Sequence, residues 1–344
     1  MAKKIEAYTA QEQSGILLNA NESTVNLPTG VRKEISEAML TLDFNRYPDN
    51  SQKEILEAYA KVMKLKSNQL LTGNGSDAML GLLIGTFLGK GKSLYTFDPD
   101  FSMYDYYASA YEAGVEKFTL PFNGTLDLDA FIAEGKKKNV SLVMFSNPNN
   151  PTGTCLSITK IKKLIEAFAP VPVVVDEAYF EFSNETSALS LIDDYDNLYV
   201  TRTLSKAYCI AGVRLGFLAA SKENMKVFRE LSVPYSVNRV SMKIGEIVLS
   251  HTSEIQFQIE ETKKKRDAMY EAVKGFHSLH FYPSQANFLH GCCDQKEQLL
   301  KMFEKEKIVI RNYAGKKTFR ITIGSEEENQ KVISVLKKYE EECV

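Results

Sequence analysis

Lys206 follows Ser205 and precedes Arg214 in the string TRTLSKAYCIAGVRLG, residues 201–216, the stretch of this chain best suited to covalent chemistry. The run Asn197 to Val200 before it is β-branched and aromatic, so the lysine leaves the end of a strand and enters a small-residue loop. Strand ends are where open α/β sheets hold ligands. A buried lysine beside another cation loses proton affinity, and its neutral amine can condense with an aldehyde. Ser205 and Arg214 suit a phosphate on that aldehyde, since a hydroxyl and a guanidinium both make charge-assisted hydrogen bonds to phosphate oxygens.

Two upstream strings supply the rest of such a site. SNPNNPTG, residues 146–153, follows the apolar run Ser141 to Phe145 and reads as a buried strand ending in a Pro- and Asn-rich turn, with Asn150 beyond the strand's carboxyl end. VPVVVDEAYFEF, residues 171–182, is a second buried strand whose apolar residues stop at Asp176 and Glu177. A carboxylate at the tip of such a strand is costly without a partner. A protonated pyridine nitrogen is one such partner for Asp176, and Tyr179 and Asn150 are placed to hydrogen-bond a phenolic oxygen on the same ring. Together with Lys206 these residues suggest pyridoxal phosphate, whose ring is an electron sink for a substrate carbanion. GNGSD, residues 73–77, lies between a strand and the helical run AMLGLLIGTF, which puts the backbone N–H groups of Gly75, Ser76 and Asp77 at an anion-attracting helix N-terminus.

The elements that must position these groups are legible along the chain. SQKEILEAYAKVM, residues 51–63, has Ser51 and Glu54 at capping-box spacing and an apolar stripe, which predicts an amphipathic helix. Strands are predicted over Gln69–Thr72, Ser93–Phe97, Val115–Leu120, Ser141–Phe145, Val171–Val175 and Leu198–Thr201, with Arg214–Ala220 as a seventh; they alternate with helical patterns, as in a mostly parallel sheet. Beyond about Pro234 come long helices, among them Ser253–Lys274, and then short strands at His280–Tyr282, Asn287–Leu289, Ile308–Ile310 and Phe319–Ile323. The expected organisation is an N-terminal arm over 1–44 that joins a small domain, a large domain over 45–234, and a small α+β domain over 235–344.

In this order along the chain, Asn-Pro-Thr-Gly, Asp-Glu-Ala-Tyr, Ser-Lys and the following Arg resemble the fold type I pyridoxal-phosphate aminotransferases. Within them the chain looks like the histidinol-phosphate aminotransferase branch, from LNANES at 18–23 through RYPD at 46–49 and GNGSD to FRITIG at 319–324. The resemblance implies an α/β, aspartate-aminotransferase-like fold and transamination between glutamate with 2-oxoglutarate and histidinol phosphate with imidazole acetol phosphate. It makes Lys206 the cofactor lysine, adds Thr203 and Ser76 to the phosphate ligands, and places Phe101 where an aromatic ring stacks on the cofactor. It implies a homodimer in which Tyr47 reaches the cofactor phosphate of the other subunit. It assigns Arg320 to the substrate carboxylate or phosphate, Arg311 to the phosphate, and Asn21 and Glu22 to the substrate end. The chain departs from its relatives at Phe101, where many have tyrosine, at Ser23-Thr24, where a proline is usual, and at Cys209, where glycine or alanine is usual.

Arg320 also stands out by pattern alone. Alternation in FRITIG puts it on the face opposite Phe319 and Ile321, and a guanidinium in an apolar strand wants an anion. Composition sets the bounds. At 344 residues and 44% hydrophobic the chain can bury a large core, and a net charge of −2 offers no basic field for nucleic acid. No apolar run reaches membrane-spanning length. The opening residues lack a secretion-signal core, and five cysteines without CxxC spacing show neither a disulfide framework nor a zinc pattern, so a cytoplasmic enzyme is expected. Threonine-phosphate decarboxylase and aromatic aminotransferase remain alternatives on the same scaffold.

Overall fold

A computed structural model describes residues 14–343. Residues 1–13, most of the opening segment and the start of the N-terminal arm, lie outside the described residues. The described residues form twelve strands: β1 (Ile16–Leu18), β2 (Leu70–Asn74), β3 (Ser93–Asp98), β4 (Gly114–Thr119), β5 (Leu142–Ser146), β6 (Val173–Asp176), β7 (Leu198–Thr203), β8 (Leu215–Ala220), β9 (His280–Phe281), β10 (Phe288–Cys292), β11 (Ile308–Asn312) and β12 (Thr318–Thr322). They form two sheets, ordered β2-β8-β7-β6-β5-β3-β4 and β1-β11-β12-β10-β9. In the larger sheet only β8 runs against its neighbours. The α/β architecture with a seven-stranded, mostly parallel sheet is the expected one.

Helices cover both faces of the large sheet, and its central strands show why. Successive residues of β5, β6 and β7 alternate between two apolar cores: Val143, Val173, Val175 and Val200 face one, and Leu142, Met144, Val174 and Tyr199 the other. All of these side chains are buried. Strands covered on both sides read as unbroken apolar runs, the signal used above. The helix Ile158–Phe168 buries Ile161, Leu164, Ile165 and Phe168, one stripe at helical spacing. Each such side chain contributes about 1.5–3 kcal/mol of transfer free energy, so truncating Leu164 to alanine would cost about as much as a large fraction of a domain's net stability.

The smaller sheet has its own core, including Leu18, Leu289, Phe319, Ile321 and Leu336. Its edge is closed by β1, which pairs in parallel with β11 through Ile16–Ile308 and Leu18–Ile310. Three residues of strand this short are held by their partner.

One local expectation fails. The helix predicted from Ser51 begins at Lys53, and no capping box forms. Asp49 takes the serine instead, accepting from both Ser51 N (2.9 Å) and Ser51 Oγ (2.5 Å), an Asx-type turn that competes with the cap.

Candidate active site

Strands β2, β5, β6 and β7 are mutually parallel, so their carboxyl ends share one edge of the sheet, where parallel α/β folds carry ligands. At that edge a cavity of about 990 Å³ opens toward the smaller sheet. Lys206, Asp176, Phe101 and Ser76 line it from one side and Arg320 and Arg311 from the other.

Asp176 ends β6 and is 3% exposed. Tyr104 Oη donates to its Oδ2 and Thr201 Oγ1 to its Oδ1, each at 2.8 Å. Burial, only partly offset by these donors, raises its carboxyl pKa to about 6. Glu177, next in the chain, turns away. It is fully buried and bound by Arg202 Nε (2.8 Å), Ser187 Oγ (2.6 Å) and the Ala188 N–H (2.8 Å). Arg202 also donates to Glu181 (2.8 Å), so the turn carrying Tyr179 is tied at both flanks. Tyr179 Oη accepts from Asn21 Nδ2 (3.1 Å) and Asn150 Nδ2 (3.5 Å), which leaves its own hydrogen to donate into the cavity.

Lys206 lies beyond β7 and is half-buried. Its Nζ donates to the Ala20 carbonyl at 2.8 Å. Burial first, and then the Arg320 charge, lower its pKa to about 8. Neutral amine is therefore accessible near physiological pH, as a condensing or proton-moving lysine requires.

The GNGSD turn forms a cradle against β8. Gly75 has φ +81° and a side chain there would lie 2.5 Å from Arg214 Nη2, while a side chain on Gly216 would lie 2.1 Å from the Ser76 nitrogen. Both glycines are needed for this close approach. The helix Ser76–Phe87 has no side-chain cap, so its first N–H groups are open to an anion. Arg214 donates to Ser205 Oγ (3.2 Å) and Asp77 Oδ2 (3.0 Å), and Thr203 Oγ1 donates to Ser205 Oγ (2.9 Å). Hydroxyls, a guanidinium and free amides thus converge on one corner.

On the opposite wall Arg311 and Arg320 are direct cross-strand partners, and both line the cavity. Like charges opposite one another repel, so an anion placed between them is favoured. Arg320 donates to Asn150 Oδ1 and to the Asn19 carbonyl (2.7 Å) and lies over the Phe288 ring at 5.2 Å. Glu22 is exposed at the rim; Asn21 is fully buried, its side chain spent on Tyr179 and Thr322 (3.0 Å) rather than on the substrate end. Phe101 packs edge-on against Tyr104 at 5.7 Å. Tyr47 stands apart, 78% exposed and stacked on Tyr235 at 4.8 Å. Cys209 has φ +60°, a left-handed conformation that glycine would adopt without strain.

Sequence reasoning missed Tyr104, Thr201 and His290. The first two are second partners of Asp176 that no spacing rule announces. His290 lay just past the predicted strand Asn287–Leu289, and only its place inside β10, which runs to Cys292, makes it an ionisable residue in an apolar strand as Arg320 is.

Residues 13–336 match the family model Aminotransferase class I and II. A histidinol-phosphate aminotransferase from Clostridium kluyveri is 36% identical over 326 residues, covering 94% of this chain and 92% of the relative. Among solved structures, the histidinol-phosphate aminotransferase from Sinorhizobium meliloti in complex with pyridoxal-5'-phosphate superposes with a TM-score of 0.87 at 20% identity, covering 96% of this chain and 92% of that one. The L-threonine-O-3-phosphate decarboxylase from Porphyromonas gingivalis superposes with a TM-score of 0.82 at 25% identity, covering 95% and 99%. The chain belongs to the class I and II aminotransferases.

Proposed function

We propose that this aminotransferase uses pyridoxal phosphate to move an amino group between histidinol phosphate and 2-oxoglutarate; curated relatives carry the name histidinol-phosphate aminotransferase. The observation that carries the reading is one cavity whose sheet side holds Lys206, Asp176 and the glycine-lined cradle, and whose far side holds two arginines.

The residues fit the cofactor. The phosphate would be held by the amides of Gly75, Ser76 and Asp77, the hydroxyls of Ser76, Thr203 and Ser205, and Arg214. Phe101 would pack on the ring, Asp176 would hold the proton of its nitrogen, and Tyr179 and Asn150 would bond its phenolic oxygen. When bound, the cofactor supplies a sink for the electron pair released from the substrate's Cα–H bond. Lys206 Nζ takes up that proton and hands it back, a task suited to an amine with a pKa of about 8. Asp176, with a pKa of about 6, is mostly ionised at neutral pH and so keeps its charge facing the ring. Arg320 binds the substrate carboxylate, or the phosphate in the other half-reaction; Arg311 assists with the phosphate; Glu22 borders the substrate end, and Asn21 acts by holding Tyr179.

We assign the chain to a cytoplasmic homodimer with Tyr47 crossing to the other subunit's phosphate. Three large side chains left exposed in one stretch of sequence, Leu40, Phe44 and Tyr47, support the dimer. Five free thiols support the location, and among the described residues no helix is long and apolar enough to cross a membrane. We also propose the division at 44 and 234; the pairing of β1 with β11 supports giving the start of the N-terminal arm to the small domain, while Leu27 and Val31 of the same arm pack into the large-sheet core.

The test is a half-reaction assay. Loaded protein is mixed separately with histidinol phosphate, glutamate, threonine phosphate and phenylalanine. Conversion of the cofactor's visible band by the first two supports the reading. Carbon dioxide release from threonine phosphate, or a response to phenylalanine alone, would replace it with the decarboxylase or the aromatic aminotransferase.

A further inference from the structure

Strand β10 carries one imidazole, His290, and its environment is unusual for a packing residue. It is 1% exposed, yet neither Nδ1 nor Nε2 has a hydrogen-bond partner. The Phe122 backbone approaches the ring without reaching hydrogen-bonding geometry. Burying two unsatisfied ring nitrogens is costly, and an aliphatic residue would fill the strand position without that cost.

Its position suggests what satisfies them. His290 pairs directly with Arg320 across β10 and β12, and both side chains line the cavity. The Arg320 Nε is also buried without a partner. Unsatisfied nitrogens of two adjacent residues therefore lie in the cavity wall, beside the place where the proposed function puts an anionic substrate group. Burial, and then the Arg320 charge, push the imidazole pKa down to about 4, so the ring is neutral and one nitrogen carries a hydrogen. A neutral donor can sit beside a guanidinium without repelling it.

We propose that His290 is a specificity-determining residue of the substrate pocket, its ring N–H donating to an anionic oxygen of the substrate that Arg320 neutralises. This rests on the reading of the cavity given above. The oxygen belongs either to a substrate carboxylate or to the phosphate of histidinol phosphate.

The test compares wild type, His290→Leu and His290→Gln in the loaded enzyme, with glutamate and histidinol phosphate varied separately. In His290→Leu we expect KM to rise by about ten- to a hundredfold, the range for a lost hydrogen bond to a charged group, with kcat nearly unchanged. His290→Gln, which keeps a donor, restores most of the loss. A rise confined to histidinol phosphate identifies the phosphate as the ligand; a rise with glutamate identifies the carboxylate. Unchanged KM for both substrates in His290→Leu overturns the proposal, as does equal impairment of both variants with loss of bound cofactor, which marks a packing role. If neither variant folds, the wild-type protein with 15N-labelled histidine decides: the His290 ring signals shift when 2-oxoglutarate or histidinol phosphate is added, and signals that stay fixed with both overturn the proposal. Wild type that turns over other anionic substrates but not histidinol phosphate refutes the proposed function alone, because the glutamate arm still reads His290.

Discussion

The two walls of the cavity differ in how their polar atoms are used. On the large-sheet wall, Asp176 receives a hydroxyl on each oxygen, Tyr179 Oη receives two amides, and Arg214 is tied to both Ser205 and Asp77. On the small-sheet wall, Arg320 Nε and both His290 nitrogens are buried without partners, and two arginines face each other across the strands. One wall is preorganised before anything binds. The other keeps desolvated donors that a ligand must complete, so it discriminates among ligands, because a poor one leaves them unpaired.

Substitutions on the two walls should therefore fail in different ways. The largest effect belongs to Lys206→Ala, expected to lower kcat by at least about 10⁴-fold, beyond the usual contribution of a single acid-base group, and to remove the cofactor's covalent attachment. Product formation and the visible band of purified protein measure it. Asp176→Asn should keep cofactor binding and lower kcat by about 10²–10³-fold, the scale of losing a preorganised electrostatic partner. Arg320→Ala should act mainly through KM for both substrates, by about 2–5 kcal/mol, since it removes one side of a desolvated charge pair. Should Arg320→Ala lower only kcat, the contrast between the walls would break. The smallest effect is at Gly75→Ala, whose left-handed backbone and contact with Arg214 should weaken cofactor affinity by about tenfold, read by titrating apo protein, with KM for substrates little changed.

The same contrast explains what the sequence made legible. Strands β5, β6 and β7 were readable because double-sided burial leaves uninterrupted apolar runs, and Asp176 and Lys206 were readable because they break those runs at the edge. Arg320 was found by alternation. His290 sits in a strand of the same kind, but a single imidazole among apolar neighbours says little until its partner across the sheet is known, and that register is a long-range property. Strand β1 was missed for a similar reason, since three residues take their conformation from β11. The absent cap at Ser51 shows local competition: Asp49, two residues earlier, reaches the serine before the helix does.

The walls also communicate through charge. Arg320 is the second cause, after burial, of the lowered Lys206 pKa. A lysine whose pKa is depressed is protonated and unreactive below that value and gains reactivity as pH rises through it.

The most direct test is to incubate the apo protein with pyridoxal phosphate over a pH series, reduce with borohydride and map the labelled peptide. The label should fall on Lys206, about one per chain, with a rate that climbs through pH about 8 in wild type and at a higher pH in Arg320→Ala. Label spread over surface lysines, or none on Lys206 at any pH, would contradict the account.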